Sequence, residues 1–312
     1  MGNEYNGIVI VYKEKGFTSF DVVAKMRGIF GQRKIGHTGT LDPDATGVLP
    51  ICLGNATKVV ELLMDHDKEY VAELLLGTKT DTQDITGEIL EKKDTSGLTE
   101  TEAKEVIYSF IGESEQIPPM YSALKVNGQK LCDLARRGVE IERKARKIHI
   151  YDIEILDMRL PVIKIRVNCS KGTYIRTLCN DIGEKLLCGG CMQSLERTRV
   201  GIFGSEEAFT LSKIQDIKEN GSLSEIVRSV DSLFPDYPRM TVTGEGIKKL
   251  ENGNILNPED MNIRDNITFD YVNQNTVILQ SCVRTYRTDG SFAGIYRWDD
   301  SDKVFRPEKM FL

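Results

Sequence analysis

The chain has 312 residues, enough for one large domain and a smaller one. Its 40% hydrophobic and 28% charged content describe an ordinary water-soluble protein. No apolar run approaches the length of a membrane span, and the N-terminus has neither the basic start nor the apolar core of a signal peptide, so a cytoplasmic location is expected. A net charge of −6 gives no general attraction to nucleic acid, and seven cysteines, an odd number, exclude a secreted disulfide framework.

Gly7 to Tyr12 reads as a buried strand, and Lys13-Glu14-Lys15-Gly16 turns it. Thr18 or Ser19 can cap a helix with Phe20, Val23, Met26 and Phe30 on one face. From Ile35 to Lys58 the chain changes character, with Gly36, Gly39, Gly47 and Gly54 surrounding a polar centre. Glycines this dense mean backbone that bends sharply or approaches something closely. Asp42 precedes Pro43, so its backbone is pushed to extended geometry and its carboxylate is held on a stiffened loop. Capping of a backbone amide is the plain alternative role for Asp42. No Gly-Lys-Ser/Thr follows the glycines, which excludes a Walker-type phosphate loop.

Asn55 can cap a helix reaching Leu63, and Glu69 to Leu76 form a strand with Tyr70 near its start. Residues 77–84 are a polar loop, and Thr99 with Glu102 makes a capping box for the next helix. Pro118 to Lys130 lead into a short helix ending at Arg136-Arg137-Gly138. Lys147 to Met158 and Val162 to Cys169 read as strands, the second with strict alternation of apolar and polar residues. Ser170 to Leu178 leaves that strand and enters a helix with Ile175, Leu178, Ile182 and Leu186 inward. Cys188 and Cys191 have the spacing of half a zinc site, but nothing in the sequence completes it. Two prolines, Pro235 and Pro238, mark a boundary. The expectation is an α+β chain around a mixed or antiparallel sheet, with residues 1–236 as one domain and 237–312 as a small, mainly β domain.

Charge is distributed unevenly. Residues 61–120 carry 15 acids and 5 bases, whereas residues 121–150 carry 8 bases and 3 acids. Residues 13–34 hold six bases and two acids. An acidic protein with such basic segments can grip a phosphate backbone locally, although charge alone is equally a solvated face.

Four motifs carry a family resemblance. Gly36-His37-Thr38-Gly39-Thr40-Leu41-Asp42-Pro43 with Ala45-Thr46-Gly47-Val48-Leu49-Pro50 resembles the catalytic loop of the TruB family of tRNA pseudouridine synthases. Pro118 to Lys130, Lys171-Gly172-Thr173-Tyr174-Ile175-Arg176 and Ser194-Leu195-Glu196-Arg197-Thr198-Arg199 are similar to three further motifs of that family. Glu14 stands where the family has proline, and Cys132 where it has an aromatic residue. The last 75 or so residues resemble the family's PUA-like RNA-binding domain only by position, size and Gly244–Gly253 with Gly294-Ile295-Tyr296.

The resemblance implies isomerisation of uridine to pseudouridine in the T stem-loop of tRNA, at position 55, without cofactor, metal or obligate protein partner. It implies Asp42 as the essential carboxylate, Arg176 as the cation that lowers its pKa, Tyr70 as the surface for a flipped-out base, and Tyr174 as the residue orienting Arg176. Leu195 would close the apolar wall, and His37 would fill the space the base leaves. Lys13, Lys58 and Lys125 would contact phosphates, and residues 113–146 would form a thumb-like insertion over the RNA. Two other functions remain open: a tRNA-binding or folding protein, and an N-glycoside hydrolase using Asp42 with Asp44.

Overall fold

The computed structural model describes residues 5–221, 223–263 and 282–312. The chain divides into two units, one built from Val9–Ile51 and Val60–Leu223, the other from described residues of 1–8, Cys52–Val59 and Ser224–Leu312. In chain order the elements begin with β1 (Gly7–Lys13), α1 (Ser19–Phe30), β2 (Ile35–His37), β3 (Thr46–Leu53), α2 (Val60–Met64), β4 (Lys68–Leu76), β5 (Thr78–Thr80), β6 (Ile89–Lys92), α3 (Glu100–Tyr108) and β7 (Gly112–Gln116). There follow β8 (Lys125–Val126), β9 (Gln129–Lys130), α4 (Leu131–Ala135), β10 (Arg146–Arg159), β11 (Val162–Cys169), α5 (Ile175–Lys185), β12 (Gly190–Val200), β13 (Phe203–Gly204) and α6 (Leu211–Glu219).

The larger unit is organised by a mixed sheet in the order β1-β3-β12-β4-β11-β10-β7. Its β12–β3 contact is parallel, and the ladders from β12 through β4, β11 and β10 to β7 are antiparallel. This is the expected mixed, largely antiparallel α+β arrangement. The alternation in β11 places Ile163, Ile165 and Val167 in the core, where all three are fully buried. They meet Ala72 and Leu74 of β4, Ile150 and Ile153 of β10, and Leu178 and Ile182 of α5. Helix α5 lies so close to β12 that a Cβ on Gly183 would sit 2.1 Å from the backbone nitrogen of Gly190.

Local signals hold where a side chain has one dominant option. Thr18 caps α1 and shares a capping box with Asp21, and Gly31 ends the helix at a φ of 66°. Thr99 and Glu102 form the second capping box, at the start of α3. The helix expected from Asn55 to Leu63 is instead a 3-10 turn, Gly54–Val59, followed by the short α2. The Asn55 amide donates to the Phe311 carbonyl rather than capping a helix, and Gly54 sits at a φ of 58°.

In the other unit, β14 (Arg239–Val242), α7 (Gly246–Glu251), β15 (Met261–Ile263), β16 (Cys282–Tyr286), β17 (Phe292–Asp299) and β18 (Val304–Met310) follow one another. Their five-stranded sheet has the order β15-β14-β16-β17-β18, closed over Met240, Val242, Leu250, Leu256, Val283, Tyr296 and Phe305. The mainly β character expected for the C-terminal residues is present in the described part.

Two glycines of the larger unit give opposite expectations. Gly183→Ala should destabilise the protein by about 1–3 kcal/mol, because its Cβ has no room against β12. Gly28→Ala, within α1 and with nothing within 4 Å of the added Cβ, should stabilise it by roughly 0.5–1 kcal/mol through helix propensity. Thermal and urea unfolding of the two purified variants would check the sign of each.

Candidate active site

Asp42 is set by its two neighbours. The Leu41 amide donates to the Ser19 hydroxyl at 2.9 Å, tying the loop to the first residue of α1. On the other side the Pro43 carbonyl accepts from the Gly16 amide at 2.9 Å and from the Lys13 ammonium at 3.0 Å. Lys13 is fully buried and also donates to the carbonyls of Phe17 at 2.6 Å and Glu14 at 3.2 Å. The expected phosphate contact from Lys13 is therefore corrected: its amine is spent inside the loop, and burial draws its pKa down to about 8. Glu14 serves there through its backbone carbonyl, which any residue offers.

Arg176, 6% exposed, is the hub. Its guanidinium meets the Asp42 carboxylate with two nitrogens, Nε at 3.0 Å and Nη2 at 3.3 Å, in the fork geometry that makes arginine–carboxylate pairs directional. Nη1 reaches Asp84 at 3.4 Å and the Thr82 carbonyl at 3.3 Å, and Nη2 donates to the Tyr121 carbonyl at 2.8 Å. Asp84 is fixed in turn by the hydroxyls of Thr82 and Thr86, at 2.8 and 2.6 Å. Nothing at 77–84 marked Asp84 beyond a polar loop; the Thr-x-Asp-x-Thr spacing was the one available signal. The Tyr174 ring has no bond to Arg176, so the orienting role expected of it falls to Asp84 and the two carbonyls. Backbone N–H and C=O of Tyr174 pair with the Gln116 amide at 2.8 and 3.0 Å.

These groups open onto a cavity of about 340 Å³ whose wall includes Asp42, Tyr70, Tyr174, Arg176, Leu195 and Arg197. The Asp42 side chain is 37% exposed, facing this recess rather than open solvent. Burial raises its pKa above the usual carboxylate range, Arg176 works against that rise, and Asp84 adds to it. The expectation that Arg176 leaves Asp42 with a lowered pKa is thus corrected: the cation only moderates what desolvation does. Tyr70 enters from β4, opposite Arg197 of β12 in the antiparallel ladder. Leu195 lies on β12, half-buried, two residues before Arg197.

Other expected residues are not part of the recess lining. The His37 ring packs edge-on against Phe20 with centroids 5.4 Å apart, and its Nδ1 accepts from the Gly39 amide. Lys58 belongs to the other unit, where its ammonium donates to the carbonyls of Met310 and Leu312. Lys125 is exposed on the β8–β9 hairpin. Asp44 is exposed, 3.8 Å from Lys15, and is not part of the cavity wall, so it does not form a carboxylate pair there with Asp42. Lys68 was not anticipated: it lines the cavity, 7% exposed, with its ammonium on the carbonyls of Met64 and His66.

Comparison with known proteins agrees with this architecture. Residues 27–175 match the N-terminal domain of the TruB family pseudouridylate synthases, and residues 176–235 match the tRNA pseudouridylate synthase B C-terminal domain. A tRNA pseudouridine synthase B of Lachnoclostridium phytofermentans is 50% identical over 98% of this chain and 100% of its own length. That of Clostridium tetani is 44% identical over 93% of this chain and 94% of its own. A solved Cbf5-Nop10-Gar1 complex superposes with a TM-score of 0.69 at 26% identity, covering 98% of this chain and 85% of that one. An arginine-held aspartate above a tyrosine-lined recess, on this sheet and with these relatives, leads to one assignment: the chain belongs to the TruB family of pseudouridine synthases.

Proposed function

We propose that this protein isomerises uridine to pseudouridine in the T stem-loop of tRNA, at position 55, with Asp42 as the essential carboxylate. The observation that carries the reading is the two-nitrogen contact between Arg176 and Asp42 in the wall of the recess. The reaction breaks the C1′–N1 bond, turns the base, and joins C1′ to C5; the C5 proton leaves and N1 gains one. Electrons and atoms balance without redox partner or co-substrate, so one ionised carboxylate and a surface to hold the detached base are the minimum equipment. Asp42 supplies the first. The half-buried Tyr70 ring, with Leu195 beside it, supplies the second for a base extruded from its stack. Arg176 positions Asp42 and offsets part of its desolvation.

In this reading residues 113–146 are the insertion that meets the RNA, with Lys125 at a phosphate, and residues 237–312 are the PUA-like domain. His37 fills the helix position vacated by the base. The protein works in the cytoplasm, alone. Among the described residues no helix is long and apolar enough to cross a membrane.

Asp42→Asn should lower single-turnover isomerisation by on the order of a thousand-fold or more, while tRNA affinity stays within a few fold. Carbodiimide-based detection distinguishes pseudouridine from uridine of equal mass. Release of free uracil by the wild type would mark a hydrolase instead, and unchanged RNA a binding protein.

The acid side of the pH–rate profile reports Asp42. Because its pKa is raised in the folded protein, and the ionised form is required, activity should fall at a pH above that of an ordinary aspartate. Arg176→Met removes the larger of the two cations, Arg176 and Lys13, that hold that pKa down, so the acid limb should move to still higher pH. A limb that stays in place, in rates measured from pH 4 to 8, would detach Asp42 from the chemistry.

Salt dependence tests the basic segment. Lys144, Arg146 and Lys147 are exposed, whereas Arg143 is partly buried and bound to the Pro118 carbonyl and Glu140. Changing the first three to Gln should weaken tRNA binding and flatten its log–log salt slope by up to about three units, one for each phosphate no longer neutralised. Filter binding between low and moderate salt would read this, with Arg143 left intact to preserve the fold.

A further inference from the structure

One hydroxyl in the wall of the recess has nothing to bond. Ser122 is 5% exposed, its Oγ is buried, and among the described residues that oxygen has no hydrogen-bond partner. Two other hydroxyls of the same wall are engaged: Ser170 Oγ accepts from the His149 amide at 2.9 Å, and Thr173 donates to the Ser170 carbonyl at 3.0 Å. A buried hydroxyl left unpaired is costly, and in a native fold it calls for an explanation. The backbone of Ser122 is nevertheless fixed. Its amide donates to the Met120 carbonyl at 2.9 Å, and its carbonyl accepts from the Cys132 amide at 3.0 Å.

We infer that Ser122 is a substrate-binding residue whose hydroxyl pairs with the ribose 2′-hydroxyl of the target nucleotide. The inference rests on the reading of the recess as the pocket for a flipped-out uridine, and it names one contact within that pocket. The recess has two kinds of wall. Tyr70 and Leu195 come from the strands β4 and β12 and offer a surface for the base. Asp42, Arg176 and Ser122 come from the loop after β2, from α5 and from the segment after β7. Ser122 follows Tyr121, whose carbonyl accepts at 2.8 Å from the same Arg176 Nη2 that donates to Asp42 at 3.3 Å. Ser122 is therefore on the Asp42 side of the recess. In the proposed reaction that is the side of the sugar, where the C1′–N1 bond breaks, and the carbon next to C1′ carries the 2′-hydroxyl.

A serine hydroxyl suits that partner. Both groups are neutral, and each can donate one hydrogen bond and accept others, so their pairing needs no charge and no proton transfer. The 2′-hydroxyl is also the group by which a protein tells RNA from DNA at a single nucleotide. A hydroxyl unpaired in the free protein gives up no existing bond when the substrate arrives, so the new contact contributes in full. A phosphate oxygen would accept from Ser122 as well, but that contact would be indifferent to the sugar.

The test uses the full-length protein and two synthetic T stem-loops that differ only at the target nucleotide, uridine in one and 2′-deoxyuridine in the other. Affinities are measured with Ser122 intact and with Ser122→Ala, both in an Asp42→Asn background that keeps the uridine unconverted. Ser122→Ala should bind the uridine stem-loop about 3- to 10-fold more weakly, the effect of one neutral hydrogen bond. It should bind the 2′-deoxyuridine stem-loop within about twofold of the protein with Ser122 intact, because the partner is already gone. Any change of sugar pucker in the deoxynucleotide is common to both proteins and drops out of the comparison. Equal losses on the two stem-loops put the hydroxyl at a phosphate or elsewhere and overturn the inference. Undiminished binding of the uridine stem-loop by Ser122→Ala overturns it too. Thermal unfolding of the free proteins is the second readout: removing an unpaired hydroxyl should leave the midpoint of Ser122→Ala at or above that of the wild type. A lower midpoint, or a variant that does not fold, gives the hydroxyl a partner within the protein and overturns the inference. Binding is read without turnover. A wild type that forms no pseudouridine, in a protein that shows the sugar-dependent loss, would therefore remove the proposed reaction and leave the Ser122 contact standing.

Discussion

The fork between Arg176 and Asp42 is the interaction on which the rest of the site depends. One guanidinium joins the glycine-rich loop after α1, the threonine-rich loop after β5, the segment after β7 and the start of α5. Two carboxylates share it, yet they are not equivalent. Asp84, 14% exposed, is saturated by hydroxyls and by Arg176, so it acts as a fixed anchor. Asp42 keeps its remaining capacity for the recess. A buried network of this kind is worth having only if every member is satisfied, because each unpaired group in a low-dielectric site is costly. The carbonyls of Thr82 and Tyr121 complete the donors that the acids leave free.

Placement of Asp42 is controlled independently of its charge. Ser19 holds the residue before it and Lys13 the residue after it, while Pro43 limits the backbone between. The carboxylate is therefore delivered to Arg176 by a loop pinned on both sides, and the ion pair does not have to order the loop by itself. Lys13 shows how a buried cation can be structural: three carbonyls replace its water, and nearby Asp42 and Asp44 favour its charged form.

Much of this was legible in the sequence. The alternation in β11, the capping boxes at Thr18 and Thr99, and the Pro-stiffened loop at Asp42 are local signals, and local physics decides them. The meeting of Asp42 with Arg176, 134 residues apart, was legible only through the family's motifs, since spacing in sequence says nothing of such a distance. Asp84 stayed hidden because a carboxylate among threonines is an ordinary turn residue until a buried arginine is found beside it. Arg197 was passed over in favour of Leu195 because strand alternation does not announce a buried cation. Lys13 was given to a phosphate because the direction of a flexible amine is a tertiary property, and Tyr174 was credited with an orientation that Asp84 and two backbone carbonyls provide.

The segment between β7 and β10 carries a small hydrophobic core of its own, Met120, Leu131 and Leu134, wrapped by Tyr121, Leu124, Val126 and Ile141. A piece of chain with a private core keeps its internal shape when displaced; it transmits force as a lever does, not as a rope. Tyr121 ties this core to the site, its carbonyl accepting from Arg176 and its hydroxyl donating to Asp81. A displacement of the far hairpin would therefore be felt, through one carbonyl, at the same guanidinium that sets Asp42.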